Sequence, residues 1–220
     1  MTPRLINGGD WRYWYAIGPT LQIGPGIHAP SAFSALLAAS LAGVHDQTVI
    51  DAGCGAGLVT IAALSAGAKR LVALDRDPLA LEITRWNVAA TLDEADARRV
   101  TTVQADFSRL SEFGAGLIAV NPPQRPTRLL AEVEPDQRHL HEGGGEDGLT
   151  TLRTVLRATP GTPVYSTVAR VLDVQRTITE PDLASRHAEI VMSAALPRHP
   201  SWHPLAGPGP LEVDIWAFKR

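Results

Sequence analysis

The stretch Thr48-Val49-Ile50-Asp51, followed by Ala52-Gly53-Cys54-Gly55-Ala56-Gly57 and the apolar run Leu58 to Ser65, restricts the fold more than any other part of the chain. A short buried strand that passes through a glycine-spaced turn into a helix is the opening unit of a doubly wound α/β sheet. Glycines let the chain turn sharply and approach a ligand without Cβ clashes. The helix start that follows offers unpaired N–H groups and the positive end of a dipole. The alternation then continues. Arg70 to Leu74 reads as a strand, and Pro78 to Ala90 as a helix with proline in its first turn. Val100 to Gln104, Leu117 to Val120, Val164 to Val168 and Glu189 to Ser193 read as strands, and Leu211 to Phe218 as a final strand of alternating character. Ahead of the first strand, Ser31 is placed to cap a helix running to Ala42, because Phe33, Leu36, Leu37 and Leu41 recur at helical spacing. Apolar strands alternating with helices predict a mostly parallel sheet covered on both faces.

The chain has 220 residues. That length fits one compact domain: an N-terminal extension over residues 1–45 and a Rossmann-like catalytic unit over 46–220. The lone cysteine, Cys54, excludes an internal disulfide and fits a reducing compartment. No apolar run of about 18 residues predicts a membrane span, and the first residues show no hydrophobic signal core. A cytoplasmic location is expected. The net charge of -3 and the scattered arginines argue against a nucleic-acid partner, which calls for a basic field. Two long connections stand out, Pro122 to Gly148 and the proline-rich Pro197 to Pro210. Connections of this length are often functional.

Four polar positions fall at the carboxyl ends of predicted strands, where open α/β sheets bind ligands. The glycine turn follows the first strand. Asp75 ends the second, about 20 residues beyond the turn, at the spacing of a ribose-binding carboxylate. Asp106-Phe107 follows the third, suited to an amino group and a ring face. Asn121-Pro122-Pro123-Gln124 follows the fourth. A nicotinamide nucleotide would account for the glycines and Asp75, but not for Asn-Pro-Pro. Taken in order, Asp51-x-Gly53-x-Gly55-x-Gly57, Asp75, Asp106 and Asn121-Pro122-Pro123 resemble the motifs of class I S-adenosylmethionine-dependent methyltransferases. The resemblance implies a seven-stranded sheet with an antiparallel last strand and S-adenosylmethionine as cofactor. It sets Asp51, Gly53, Cys54, Gly55 and Gly57 against the methionine part, Asp75 on both ribose hydroxyls and Asp106 on adenine N6. Arg76, Phe107 and Asn121 complete the cofactor-binding set. Asp51 equally suits a turn cap, and Cys54 reads as a small packed residue more readily than as a nucleophile.

The fourth corner carries the expected chemistry. A planar nitrogen is a poor nucleophile because its lone pair is delocalised. Acceptors for its N–H groups help as it becomes pyramidal. The Asn121 side-chain oxygen and the Pro122 carbonyl are such acceptors, and two prolines stiffen the backbone. This corner resembles that of nucleobase amino methyltransferases and of release-factor glutamine N-methyltransferases. Gly144-Gly145-Glu146-Asp147-Gly148-Leu149 resembles a Gly-Gly-x-Asp-Gly-Leu segment of the latter, with Asp147 placed to cap a helix. Gln124 stands where those families usually carry an aromatic ring, and is assigned to the reacting centre with Asn121 and Pro122. The aromatic cluster Trp11, Tyr13, Trp14 and Tyr15 suits either a lid over the site or a clamp on the core, and Tyr165 either lines the pocket or packs beneath it. His139 and His141 lie in the long loop, where either a base or a solvated histidine is possible. His199 and His203 are separated by proline, so no metal site is expected. The expected activity is N-methylation of a small-molecule or peptide acceptor. The alternative is a cyclase that converts S-adenosylmethionine to azetidine-2-carboxylate, releasing methylthioadenosine.

Overall fold

The computed structural model describes residues 21–24, 26–196, 202–207 and 209–219. Seven strands form one sheet: β1 (Thr48–Ala52), β2 (Arg70–Asp75), β3 (Val100–Gln104), β4 (Leu117–Val120), β5 (Val164–Ala169), β6 (His187–Leu196) and β7 (Leu211–Lys219). Their order is β3-β2-β1-β4-β5-β7-β6. The first five pair in parallel, while β7 runs antiparallel to both β5 and β6. Central β1 sits between β2 and β4, with Ile50 opposite Val72 on one side and Ile118 on the other. Its residues after Thr48 are buried, as a strand covered on both faces must be.

The helices are α1 (Ala32–Ser40), α2 (Leu58–Ser65), α3 (Pro78–Thr91), α4 (Glu94–Ala97), α5 (Thr150–Ala158), α6 (Val174–Ile178) and α7 (His203–Ala206). Ser31 precedes α1 and Asp77 caps α3, its carboxylate accepting from the Leu79 N–H with Pro78 at the first position. In the main core, Leu36, Leu37 and Leu41 from and just after α1 join the apolar residues of β1, β2, β4, β5 and β7. The chain leaves β1 for one flank of the sheet and β4 for the other. Between their carboxyl ends lies the topological switch point, where doubly wound sheets open a crevice.

The expected strands and helices are present, with bounds that differ by a few residues. The largest difference is β6. It begins two residues before the expected Glu189 and ends three after Ser193, with a register shift between Ile190 and Met192. Alanines 194 and 195 carry little strand preference. Pairing with β7, not local sequence, extends the strand. The long connection after β4 holds two 3-10 segments, Thr127–Glu132 and Pro135–Leu140. No described helix is long and apolar enough to cross a membrane.

Candidate functional site

The glycine turn leaves β1 with all three glycines in the left-handed region: Gly53 at φ 80°, Gly55 at 52° and Gly57 at 83°. Each has its own reason to lack a side chain. A Cβ on Gly57 would stand 3.1–3.3 Å from Thr84, so this glycine lets α3 pack onto the start of α2. A Cβ on Gly53 would press on the Phe107 ring at 3.3 Å. A Cβ on Gly55 would meet nothing within 4 Å, so this part of the loop faces open space. The N–H groups of Gly53 and Cys54 both donate to the Leu74 carbonyl, at 2.8 and 3.0 Å, tying the loop to β2.

Asp75, the last residue of β2, is fixed by the Gly55 and Asp77 N–H groups, each 3.0 Å from one carboxylate oxygen. Each oxygen keeps a lone pair for a further donor. Asp106 is exposed, and the amide and hydroxyl of Ser108 hold its pKa below the usual carboxylate range. It is a charged acceptor. Arg76 is exposed beside them, its carbonyl accepting from Gln104 at 3.2 Å. Two fixed carboxylates, a ring face and an open glycine surface line this end of the sheet. This fits a cationic nucleoside better than a pyrophosphate, which would meet two fixed carboxylates.

Asp51 is only 3% exposed and accepts from the Thr60 hydroxyl at 2.7 Å. Burial raises its pKa to about 7, against the pull of the Thr60 bonds and with added repulsion from Asp75. Cys54 is buried under Thr84, and burial, then the Asp51 charge, push its thiol well above the ordinary range. It is a packed residue, not a nucleophile.

The fourth corner is held by a polar chain that crosses the sheet. The Asn121 Nδ2 donates to Ser34 Oγ in the first turn of α1 at 3.1 Å, and its Oδ1 accepts from the Thr167 hydroxyl at 2.6 Å. The carboxamide is thereby fixed in one orientation. Gln124, expected at the reacting centre, is placed differently. It is 6% exposed, its Nε2 donates to the Thr167 carbonyl and hydroxyl, and its Oε1 accepts from the Ala169 N–H at 2.7 Å. An extended main chain would pair with β5 in the same way. With both ends of its amide engaged, Gln124 braces the corner. For Tyr165 the second of the two expected readings holds. It is the second residue of β5, opposite Ala119, so it packs against the core beneath the rim. Thr167, two residues on, takes the rim position. The aromatic residues Trp11, Tyr13, Trp14 and Tyr15 lie outside the described residues, as does His199.

Three features escaped sequence reasoning. Asn87 on α3 is fully buried, donates to the carbonyls of Gln22 and Ala56 and accepts from the Gln22 N–H at 2.8 Å. It pins the segment from residue 21 along the glycine loop, where Leu21 packs on Leu58 and Ile61. The Gly143–Gly148 segment is a backbone cradle for the corner: a Cβ on Gly144 would stand 2.2 Å from the Arg125 carbonyl oxygen, and one on Gly148 2.6 Å from that of Gln124. Asp147, expected to cap the following helix, does not: α5 starts at Thr150 with Leu149 at the N-cap and no side-chain cap bond, and the Asp147 carboxylate instead accepts from the Leu149 N–H at 3.1 Å and pairs with Arg153. Arg125 itself is buried beside Trp202. Among the described residues no cluster suited to a metal ion occurs.

The chain resembles known methyltransferases in sequence and in fold. A family model described as ribosomal protein L11 methyltransferase matches residues 15–120. The match ends one residue before Asn121, so it covers the cofactor half of the sheet and not the corner. A ribosomal protein L11 methyltransferase of Colwellia psychrerythraea is 33% identical over 140 residues, 64% of this chain and 44% of that protein. A putative protein N5-glutamine methyltransferase of Methanocaldococcus jannaschii is 28% identical over 131 residues, 60% of this chain and 64% of that protein. This chain thus spans less than two thirds of the length of either relative. The solved E. cuniculi Mtq2–Trm112 complex, described as methylating the eRF1 termination factor, aligns over 89% of this chain and 99% of that one. Its TM-score is 0.61 at 18% identity, a likeness of fold alone.

Proposed function

We propose that this chain, which belongs to the class I S-adenosylmethionine-dependent methyltransferase superfamily, transfers a methyl group to a nitrogen of a small-molecule or peptide acceptor. The observation that carries the reading is Asn121, locked between Ser34 and Thr167 at the switch point, beside the stiffened Pro122-Pro123 backbone. S-adenosylmethionine, when bound, supplies an activated methyl group on a sulfonium. The chain's own task is then to bind, orient and accept hydrogen bonds. Asp75 and Asp106 take hydroxyl and amine donors. Phe107 and the glycine loop form the apolar walls. Asn121 Oδ1 and the Pro122 carbonyl hold the N–H groups of the acceptor, and that hold strengthens as nitrogen becomes pyramidal.

Incubation with S-adenosylmethionine tests the reading. S-adenosylhomocysteine should appear when an acceptor mixture of free amino acids and short glutamine peptides is added, and not without it. None of the relatives named above is described as a cyclase. Methylthioadenosine formed from the cofactor alone would overturn transfer.

Asp51 gives the binding step a pH dependence. At pH 6 a carboxyl with a pKa of about 7 is mostly neutral, and at pH 7.5 it is mostly ionised. An anion at the head of the loop favours a cationic ligand, so affinity for S-adenosylmethionine should rise with pH. The expected gain between pH 6 and pH 7.5 is about five- to tenfold, from the change in ionised fraction. Asp51→Asn should flatten it. Calorimetric titration at the two pH values checks both; a wild-type affinity that falls with pH would contradict the assignment.

A further inference from the structure

We infer that Arg125 anchors a carboxylate group of the acceptor, making this a methyltransferase for an acceptor that carries a free carboxylate near the methylated nitrogen. The inference rests on the transfer reading above and names the chemistry of its substrate.

Arg125 lies four residues beyond Asn121 on the same stiffened loop. It is 8% exposed, and its Nε and Nη1 are buried without a hydrogen-bond partner among the described residues. It forms no ion pair with a described carboxylate, and burial alone lowers its pKa, to about 10. The only aromatic partner among the described residues is Trp202, whose ring centre is 6.0 Å from the guanidinium carbon. A cation–π contact offsets only part of the cost of burying a charge. A guanidinium left this way has donors to give, in a fork that matches a carboxylate.

The backbone beneath it is rigid. Gly144 packs against the Arg125 carbonyl, and Gln124 is bonded to β5. No described carboxylate pairs with the guanidinium. His28 is close enough for the Arg125 charge to lower its pKa, after the larger effect of burial. Its Nδ1 is 2.6 Å from the Ala29 carbonyl, which only an Nδ1–H can donate to, and burial lowers the ring's pKa and so favours its neutral form. The His28 ring meets His141 edge to face, with centroids 4.9 Å apart. One fixed positive charge beside the neutral His28 ring suits a monoanion, which favours a carboxylate over a phosphate.

The test uses the full chain saturated with S-adenosylhomocysteine and titrated calorimetrically with N-acetyl-L-alanine, N-acetyl-L-alaninamide and inorganic phosphate. The acid should bind at least tenfold more tightly than the amide and more tightly than phosphate. Arg125→Gln should remove the difference, and Arg125→Lys should keep part of it. S-adenosylhomocysteine affinity should stay within twofold in both variants. Arg125→Met should raise the melting temperature of the free protein, because it removes an uncompensated buried charge; a purely structural arginine would lower it. Equal affinity for acid and amide, or a difference that survives Arg125→Gln, overturns the inference. So does tighter binding of phosphate. A tenfold loss of S-adenosylhomocysteine binding in Arg125→Gln would assign the guanidinium to the cofactor's own carboxylate instead. Absence of S-adenosylhomocysteine binding in the wild type would sink the transfer reading separately, and the acid–amide comparison on the free chain would still decide the role of Arg125.

Discussion

Asn121→Ala is expected to cut turnover about 100-fold or more while leaving S-adenosylmethionine affinity within a few fold of wild type. The reason is where the carboxamide is held. Ser34 and Thr167 fix both of its ends, 3.1 and 2.6 Å away, so its oxygen presents a pre-oriented lone pair that no solvent reorganisation has to supply. Loss of one such contact costs about 2.7 kcal/mol of transition-state stabilisation for each 100-fold. Thr167→Val keeps Asn121 and removes only the hydroxyl that orients it. That variant should lose roughly tenfold in turnover, as expected of a residue that acts through another. Asp75→Ala should behave in the opposite way. Its carboxylate braces the Gly55 N–H, so the variant should weaken cofactor binding directly and loosen the glycine loop. Steady-state kinetics paired with calorimetry separates the two patterns. Equal loss of cofactor affinity in Asn121→Ala and Asp75→Ala would mean that the corner serves cofactor binding and not the reacting nitrogen.

The sheet was legible because its strands carry their own local signal: short apolar runs bounded by glycine, proline or acid. Polar positions at strand ends stood out where an apolar run leads straight to them: Asp75 closes β2 and Asn121 follows β4, whereas Asp106 lies two residues past β3, whose Thr-rich run is only partly buried. Residues whose role depends on a distant partner were not. Asn87 looks like an ordinary polar residue on a helix, yet its partner Gln22 is 65 positions away. Thr167 is one more β-branched residue in a strand, and only the register of β5 against β4 brings it beside Asn121. Gln124 shows the converse error. A polar residue beside the asparagine of the corner suggested contact with substrate, but the strand it adjoins has main-chain groups left to pair, and the side chain pairs them. For Tyr165 both readings stayed open because the sequence does not show where along β5 it falls; it lies near the start of the strand, and so packs beneath the rim.

The second large effect should come from a residue that touches no ligand. Gly144→Ala places a methyl group 2.2 Å from the Arg125 carbonyl oxygen and 2.8 Å from its carbonyl carbon. These are main-chain atoms, so no rotamer change relieves the clash. Moving the Arg125 peptide would pull on Gln124, whose amide is bonded to Thr167 and Ala169, and through the shared Thr167 hydroxyl on Asn121. Moving the glycine strand would break the bond from the Thr150 N–H to the Gly144 carbonyl, at 3.0 Å, that starts α5. Neither route is cheap, and overpacking against fixed backbone costs about 3 kcal/mol. For a chain of this length such a loss should lower the melting temperature by roughly 6–12 °C. Where the variant still folds by moving the Arg125 peptide, turnover should fall with it, because that movement pulls on Asn121. Thermal unfolding alongside kinetics at a temperature where the variant is folded checks both effects. Glu146→Ala, in the same segment but on an exposed side chain, should change neither. If Gly144→Ala instead matches wild type in melting temperature and turnover, the glycine segment does not set the geometry of the corner, and the link from loop to carboxamide is broken at its first step.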